Sequence, residues 1–187
     1  MENKDKPGKI QDKIDSTLLN NRKIFLWGPV DEKSARHLVE RMLYLDAVSN
    51  EEIQLYISSP GGYVTAGFAI YDTMLSLNSP VATICTGLAA SMASILLSAG
   101  AKGRRFVQPH AKVMIHQPSG GAQGQASNIE IQATEILKIK DLSAKILAKN
   151  CNQDYNRIIK DFNRDYWMDA SESMEYGIVD QIIEKHL

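Results

Sequence analysis

From Leu75 to Ala101 the chain carries no Asp, Glu, Lys or Arg. A run of that length has two physical outlets: it crosses a bilayer, or it is withdrawn into a protein core. Pro80, Gly87 and Gly100 interrupt this one, and it holds Thr83, Thr86, Ser91, Ser94 and Ser98. It also divides into a β-prone piece, VATIC, and a helix-prone piece, AASMASILL. Punctuation of that kind belongs to a buried strand and a buried helix, not to a membrane span. Around such a core, 187 residues make one domain, large enough to fold without staples.

The flanking sequence repeats the same rhythm. KIFLWG (23–28) reads as a strand stopped by Gly28-Pro29. Asp31 then caps a helix whose apolar positions Ala35, Leu38, Val39, Met42 and Leu43 recur at helical spacing. IQLYI (53–57) is a strand, SSPGG a turn, and TAGFAIYDTML (65–75) a helix. VATIC is the next strand, Gly87 a break, and AASMASILLSAG a helix closed by Gly100. RRFV and KVMI read as short strands. A Gly- and Gln-rich stretch, QPSGGAQGQ, leads into a long amphipathic helix from about Asn128 to Asn150. That helix either packs on a neighbouring subunit or spans the core. Helices over about 153–163 and 171–176 and a strand, IVDQII, complete the chain, while residues 1–20 read as frayed or loosely docked. Recurring strand–turn–helix units predict an α/β domain with a largely parallel sheet.

The formal charge of −1 argues against nucleic acid or an anionic membrane as the main partner. Cys85 and Cys151 stand at no metal-ligand spacing, and two cysteines make no disulfide framework, which favours a reducing, cytoplasmic setting. The polar start MENKDKPGKIQDKID has no apolar core of a secretory signal.

Three features can carry chemistry. Ser91, after a strand and two alanines, is placed in the first turn of a helix, where unpaired N–H groups and the positive helix end converge. A serine hydroxyl needs an adjacent base to become a nucleophile. Of the four histidines, His37 lies in an amphipathic helix, His110 in a turn and His186 beside the carboxyl end. His116 follows KVMI, at the edge where open α/β sheets place their sites. The SSPGG turn allows close backbone approach and could offer N–H groups to an oxyanion. A carboxylate to orient the imidazole could be Asp141, Asp154, Asp161, Asp165, Asp169 or Asp180, and spacing does not choose among them.

SSPGGYVTAGFAIYDTM, CTGLAASMASILLSAGAKGRRF, VMIHQPSGGAQGQASNIEI and RDYWMDASESMEYGIVD, in that order, closely resemble the signature blocks of the ClpP family, the proteolytic subunits of Clp proteases. The resemblance runs from about residue 23 to the end and implies a ClpP/crotonase-like α/β fold of repeated strand-turn-helix units, with a protruding handle over about 118–150. It implies Ser91 as nucleophile, His116 as general base and Asp165 as orienting carboxylate, with backbone N–H groups of Gly62 and Met92 as the oxyanion hole. It further implies that Gly62, Tyr63 and Val64 on one side, and Pro118, Ser119 and Gly120 on the other, pair with an extended peptide. The implied protein is a serine endopeptidase that needs no metal or cofactor. Its subunits would stack as two seven-membered rings and receive unfolded protein from an AAA+ Clp unfoldase that uses the ATP.

Two departures qualify the expectation. The first 22 residues are short and polar where family chains carry an apolar axial segment, and IDSTLL replaces the usual helix signature there. Positions that line the family's apolar docking pocket are polar here: Gln54, Ser76, Thr86 and Gln108, with Tyr56 and Phe106 retained. Unsatisfied polar groups there would weaken docking of an unfoldase or shift it to a second, pocket-bearing paralogue. Asn163 also stands where an acidic residue is usual. Rival readings are an inactive ring subunit of a mixed particle and a crotonase-like acyl-CoA enzyme.

Overall fold

The computed structural model describes residues 7–121 and 123–185. His186 and the first six residues of the N-terminal segment therefore lie outside the described residues. The rest of that segment is not frayed: Pro7–Asn20 forms a helix, α1, seated through half-buried Leu18 and Leu19.

β1 (Lys23–Trp27), β2 (Ile53–Ser59) and β3 (Val81–Ala90) pair in parallel, linked by α2 (Glu32–Val48) and α3 (Val64–Ser76). Asp31 caps α2 as its sequence position demands: its carboxylate accepts from Ser34 N–H at 2.7 Å, and Ser34 Oγ accepts from Asp31 N–H at 2.9 Å. The buried stripe of α2 is Ala35, Leu38, Met42 and Leu45, whereas Leu43 is 52% exposed, so the apolar face is turned away from that expected residue. At the base of these units the Arg22 guanidinium binds the carbonyls of Leu45, Ser49, Glu51 and Glu52 and the hydroxyl of Ser79. One side chain thus ties the end of α2 to the starts of β2 and β3.

β3 departs most from expectation. Gly87 does not end it. Between Ile57↔Cys85 and Ser59↔Ala89, two steps on β2 face four on β3, and Gly87 at φ 79° takes up the bulge. The strand then continues through Ala89 and Ala90, which the sequence assigns to a helix. Beyond the bulge it also changes partner. Thr83–Cys85 pair with β4 (Arg105–Val107), and Leu88–Ala90 pair with β5 (Lys112–Ile115). The charge-free run is therefore shared by the end of α3, all of β3 and the short helix α4 (Met92–Ser98), every residue of which is buried. Among the described residues no helix is long and apolar enough to cross a membrane.

α5 (Ala126–Cys151) buries only Ser143, Ala144, Leu147 and Cys151, against α4 and α6 (Tyr155–Asp161). Ile129, Ile131, Leu137 and Leu142 on its outer length are 40–64% exposed. Of the two readings open for this helix, core-spanning is the one the packing rejects. A short strand absent from the sequence reading, β6 (Tyr166–Met168), pairs antiparallel with β5; α7 (Ala170–Tyr176) follows, and the last strand, β7, is only Gln181–Ile182, beside β4.

The sheet face bearing Tyr56, Ala82, Ile84 and Phe106 holds a second, smaller apolar cluster, with Phe25 stacked on Tyr56 at 5.3 Å. The polar positions named above are not unsatisfied. Thr86 Oγ1 donates to Gln108 Oε1 at 2.7 Å, Tyr56 Oη to Gln54 Oε1 at 3.4 Å, and Ser76 Oγ to the Thr73 carbonyl at 2.9 Å.

Candidate active site

Ser91 is not inside a helix turn but on the elbow between β3 and α4, at φ 56° and ψ −125°. An L-residue with a side chain is strained there, by about 1–3 kcal/mol, unless its surroundings fix it. They do: Ser91 N–H donates to the Met114 carbonyl at 2.9 Å, and the Ser91 carbonyl accepts from Ser94 Oγ at 2.6 Å and Ser94 N–H at 3.0 Å. The elbow lifts the hydroxyl off the strand and leaves it free of any capping bond to its own helix.

The hydroxyl instead meets His116, with Oγ 2.8 Å from Nε2. The other ring nitrogen, Nδ1, lies 3.0 Å from Asp165 Oδ1. Strand register explains why these two residues coincide. β5 and β6 pair Val113 with Met168, Met114 with Trp167 and Ile115 with Tyr166. His116 and Asp165 are the next pair outward, so an antiparallel ladder delivers them face to face.

The open choice among aspartates closes on bonding. Asp141 is held by Lys145 and Tyr155 Oη, Asp154 caps α6, Asp161 accepts from Tyr176 Oη, Asp169 caps α7 and Asp180 grips Arg105. Of the other histidines, His37 Nδ1 sits 2.7 Å from Arg41 Nη1, and burial followed by the Arg41 charge pulls its pKa down; His110 is exposed in its turn. The cysteines offer no rival nucleophile, since burial pushes both thiols up to about 12.

The glycine turn lies directly on the elbow. A Cβ on Gly61 would come 2.6 Å from the Ala90 carbonyl oxygen, 2.7 Å from Ser91 Cβ and 2.9 Å from Met92 N. Gly62 follows in a bridge with Val30: Val30 N–H donates to the Gly61 carbonyl and Tyr63 N–H to the Val30 carbonyl, each at 2.8 Å. That leaves the N–H of exposed Gly62 without an acceptor among the described residues, and Met92 N–H, which opens α4, has no intrahelical acceptor either. Met92 is pinned through its side chain against Gly67 of α3. Gly61→Ala, strained at φ 86° as well as clashing with backbone, is expected to lift the turn from the elbow. The strain and the backbone clash should show as a melting temperature below that of the unsubstituted chain.

A cleft of about 670 Å³ opens beside the imidazole, its wall formed by residues 116–120 and 163–165, Gln117 and Asn163 among them, with Ile136 of α5 closing over Gly120. Tyr63 (69% exposed) and Val64 are at the start of α3, next to the elbow and outside that lining. Sequence reasoning missed β6, which carries Asp165 into place; its only local signal is the β-prone Tyr-Trp pair.

The family model for Clp protease matches residues 6–186, nearly the whole chain, and so spans the elbow, the imidazole and the carboxylate together. With nearly all of its length matched, and with the mixed α/β architecture of that family, the chain belongs to the Clp protease family.

Proposed function

We propose that the chain is a serine endopeptidase that cleaves peptides and unfolded protein through an acyl-enzyme. The observation that carries this reading is the unbroken hydrogen-bonded line from Ser91 Oγ through His116 to Asp165. With Nδ1–H given to the Asp165 carboxylate, Nε2 is left as the acceptor that takes the Ser91 proton as Oγ attacks the peptide carbonyl. The N–H groups of Gly62 and Met92 receive the developing oxyanion. His116 returns the proton to the departing amine, and in the second half activates the water that releases the acyl group. The chemistry draws on side chains and backbone alone, with any ATP consumed by the partner.

Gly62, Tyr63 and Val64 on one side and Pro118, Ser119 and Gly120 on the other pair with the substrate main chain, which gives tolerance of side-chain identity. Residues 23–187 form the peptidase domain. The exposed apolar length of α5 is the surface through which subunits stack into a double ring with the sites inside. An AAA+ Clp unfoldase feeds it; the internally paired Gln54, Thr86 and Gln108 make this docking weak, or leave it to a second paralogue in a mixed ring. The bonds already made by these groups must be kept or replaced when an aliphatic side chain enters.

The test is a fluorophosphonate probe on the native assembly, with the adduct mapped by peptide mass and a fluorogenic short peptide assayed alongside. Labelling at Ser91 with matching loss of hydrolysis is expected. Absence of label on an assembled particle would favour an inactive ring subunit, and label elsewhere would remove Ser91 from the reaction.

A further inference from the structure

Asp165 is the exposed member of the line: its side chain is 60% accessible, against 24% for His116. Among the described residues its carboxylate meets no partner besides His116. Its placement must therefore come from the chain that carries it. On one side that chain is fixed by the β5–β6 ladder, which ends at Ile115 and Tyr166. On the other side the ladder does not continue, and Gln117 takes its place. Gln117 N–H donates to the Phe162 carbonyl at 2.6 Å. Its side-chain Nε2 donates to the Asn163 carbonyl at 2.9 Å, with Asn163 Oδ1 at 3.4 Å. Phe162 is 1% exposed and anchors that stretch in the core. The residue after the imidazole thus grips the two residues that lead into Arg164 and Asp165.

We propose that Gln117 is a positioning residue: its side-chain amide, by holding the Asn163 carbonyl, keeps the Asp165 carboxylate in line with His116 Nδ1. The inference rests on the reading of Ser91, His116 and Asp165 as the reacting array. Gln117 does not touch the reacting atoms. It closes the open end of a ladder whose last pair would otherwise fray, since a terminal cross-strand pair has neighbours on one side only.

Gln117→Met keeps the length of the side chain and removes its donors. It is expected to lower kcat roughly tenfold, a larger change than in KM, because the orientation of Asp165 is lost while the main chain of residues 118–120 proposed to pair with substrate is kept. Gln117→Glu, isosteric but unable to donate to a carbonyl, should repeat the loss and serves should the methionine variant melt early. A double-mutant cycle with Asp165→Ala separates positioning from general structural support: in the Asp165→Ala background, Gln117→Met should change kcat by less than about twofold. An unchanged kcat in both Gln117 variants overturns the inference, as does an equal loss with and without Asp165. Ser91→Ala run in parallel distinguishes the two levels. If that variant still hydrolyses peptide, the proposed function and this inference fall together. If it is dead and the Gln117 variants match the unsubstituted protein, only this inference falls.

Discussion

Ser91→Ala is expected to reduce peptide hydrolysis by roughly 10⁶-fold, the loss seen when the nucleophile of a cooperating serine–histidine–carboxylate set is removed. The fold should survive the change. The Ser91 hydroxyl makes no capping bond to α4, and the strained elbow is held through main-chain groups that alanine retains. The melting temperature should therefore stay within a few degrees, and the assembly should be unaltered by native mass. Asp165→Ala is expected to lose less, on the order of 10⁴-fold, because His116 would keep its contact with Oγ at 2.8 Å while losing only its orienting partner. The two losses should not add. A residual rate in the double variant equal to that of Ser91→Ala alone is the signature of groups acting as a unit. Additive losses in stopped peptide assays would show that Asp165 acts elsewhere.

The largest expected loss of stability lies far from this chemistry. Arg105 and Asp180 have side chains only 9% and 18% exposed, and meet through Nη2–Oδ1 at 2.6 Å and Nε–Oδ2 at 3.0 Å. Arg105 N–H also donates to Oδ2, and Nη1 reaches the Asn150 carbonyl, so the pair joins β4, the approach to β7 and the end of α5. Asp180→Ala would strand a buried guanidinium and should cost about 3–5 kcal/mol. For a chain of this size that corresponds to a fall of roughly 10 °C in melting temperature.

The pair also sets an acid dependence. Burial disfavours the charged carboxyl of Asp180, but the hydrogen bonds and charge of Arg105 outweigh it and hold the pKa below the ordinary value. A group depressed in the folded state binds its proton more readily when unfolded, so its stabilisation is complete above the unfolded value, about 3.9. It is lost as the pH falls through the lower folded value. Thermal melts between pH 7 and 2.5 should show this decline, and Asp180→Ala should be flatter over the same range.

What could be read from the residues follows the range of the forces involved. α2 was legible because a capping aspartate and a helical stripe are local, and Leu43 was misassigned because two phases of that stripe are nearly equivalent. The β3–α4 junction was not legible. Ala89 and Ala90 favour a helix intrinsically, yet parallel pairing with Val113 and Met114 draws them into the sheet. That contest forces the turn onto Ser91, and its positive φ has no signature in a serine. The choice of Asp165 was equally hidden. It depends on a three-residue strand that exists only because β5 is beside it. The likeness to family blocks pointed to the residue; the ladder explains why it stands opposite the imidazole.

The fork in β3 has a consequence for how this chain can change over time. A strand flanked by one neighbour throughout tolerates an altered length by sliding, but here Thr83 must meet Arg105 while Leu88 meets Lys112. Any residue gained or lost between them would throw one seam out of phase and turn its side chains to the wrong face. The span from Val81 to Ala90 is thus fixed in length, and with it the height at which Ser91 stands above the sheet. Insertions have room only outside it.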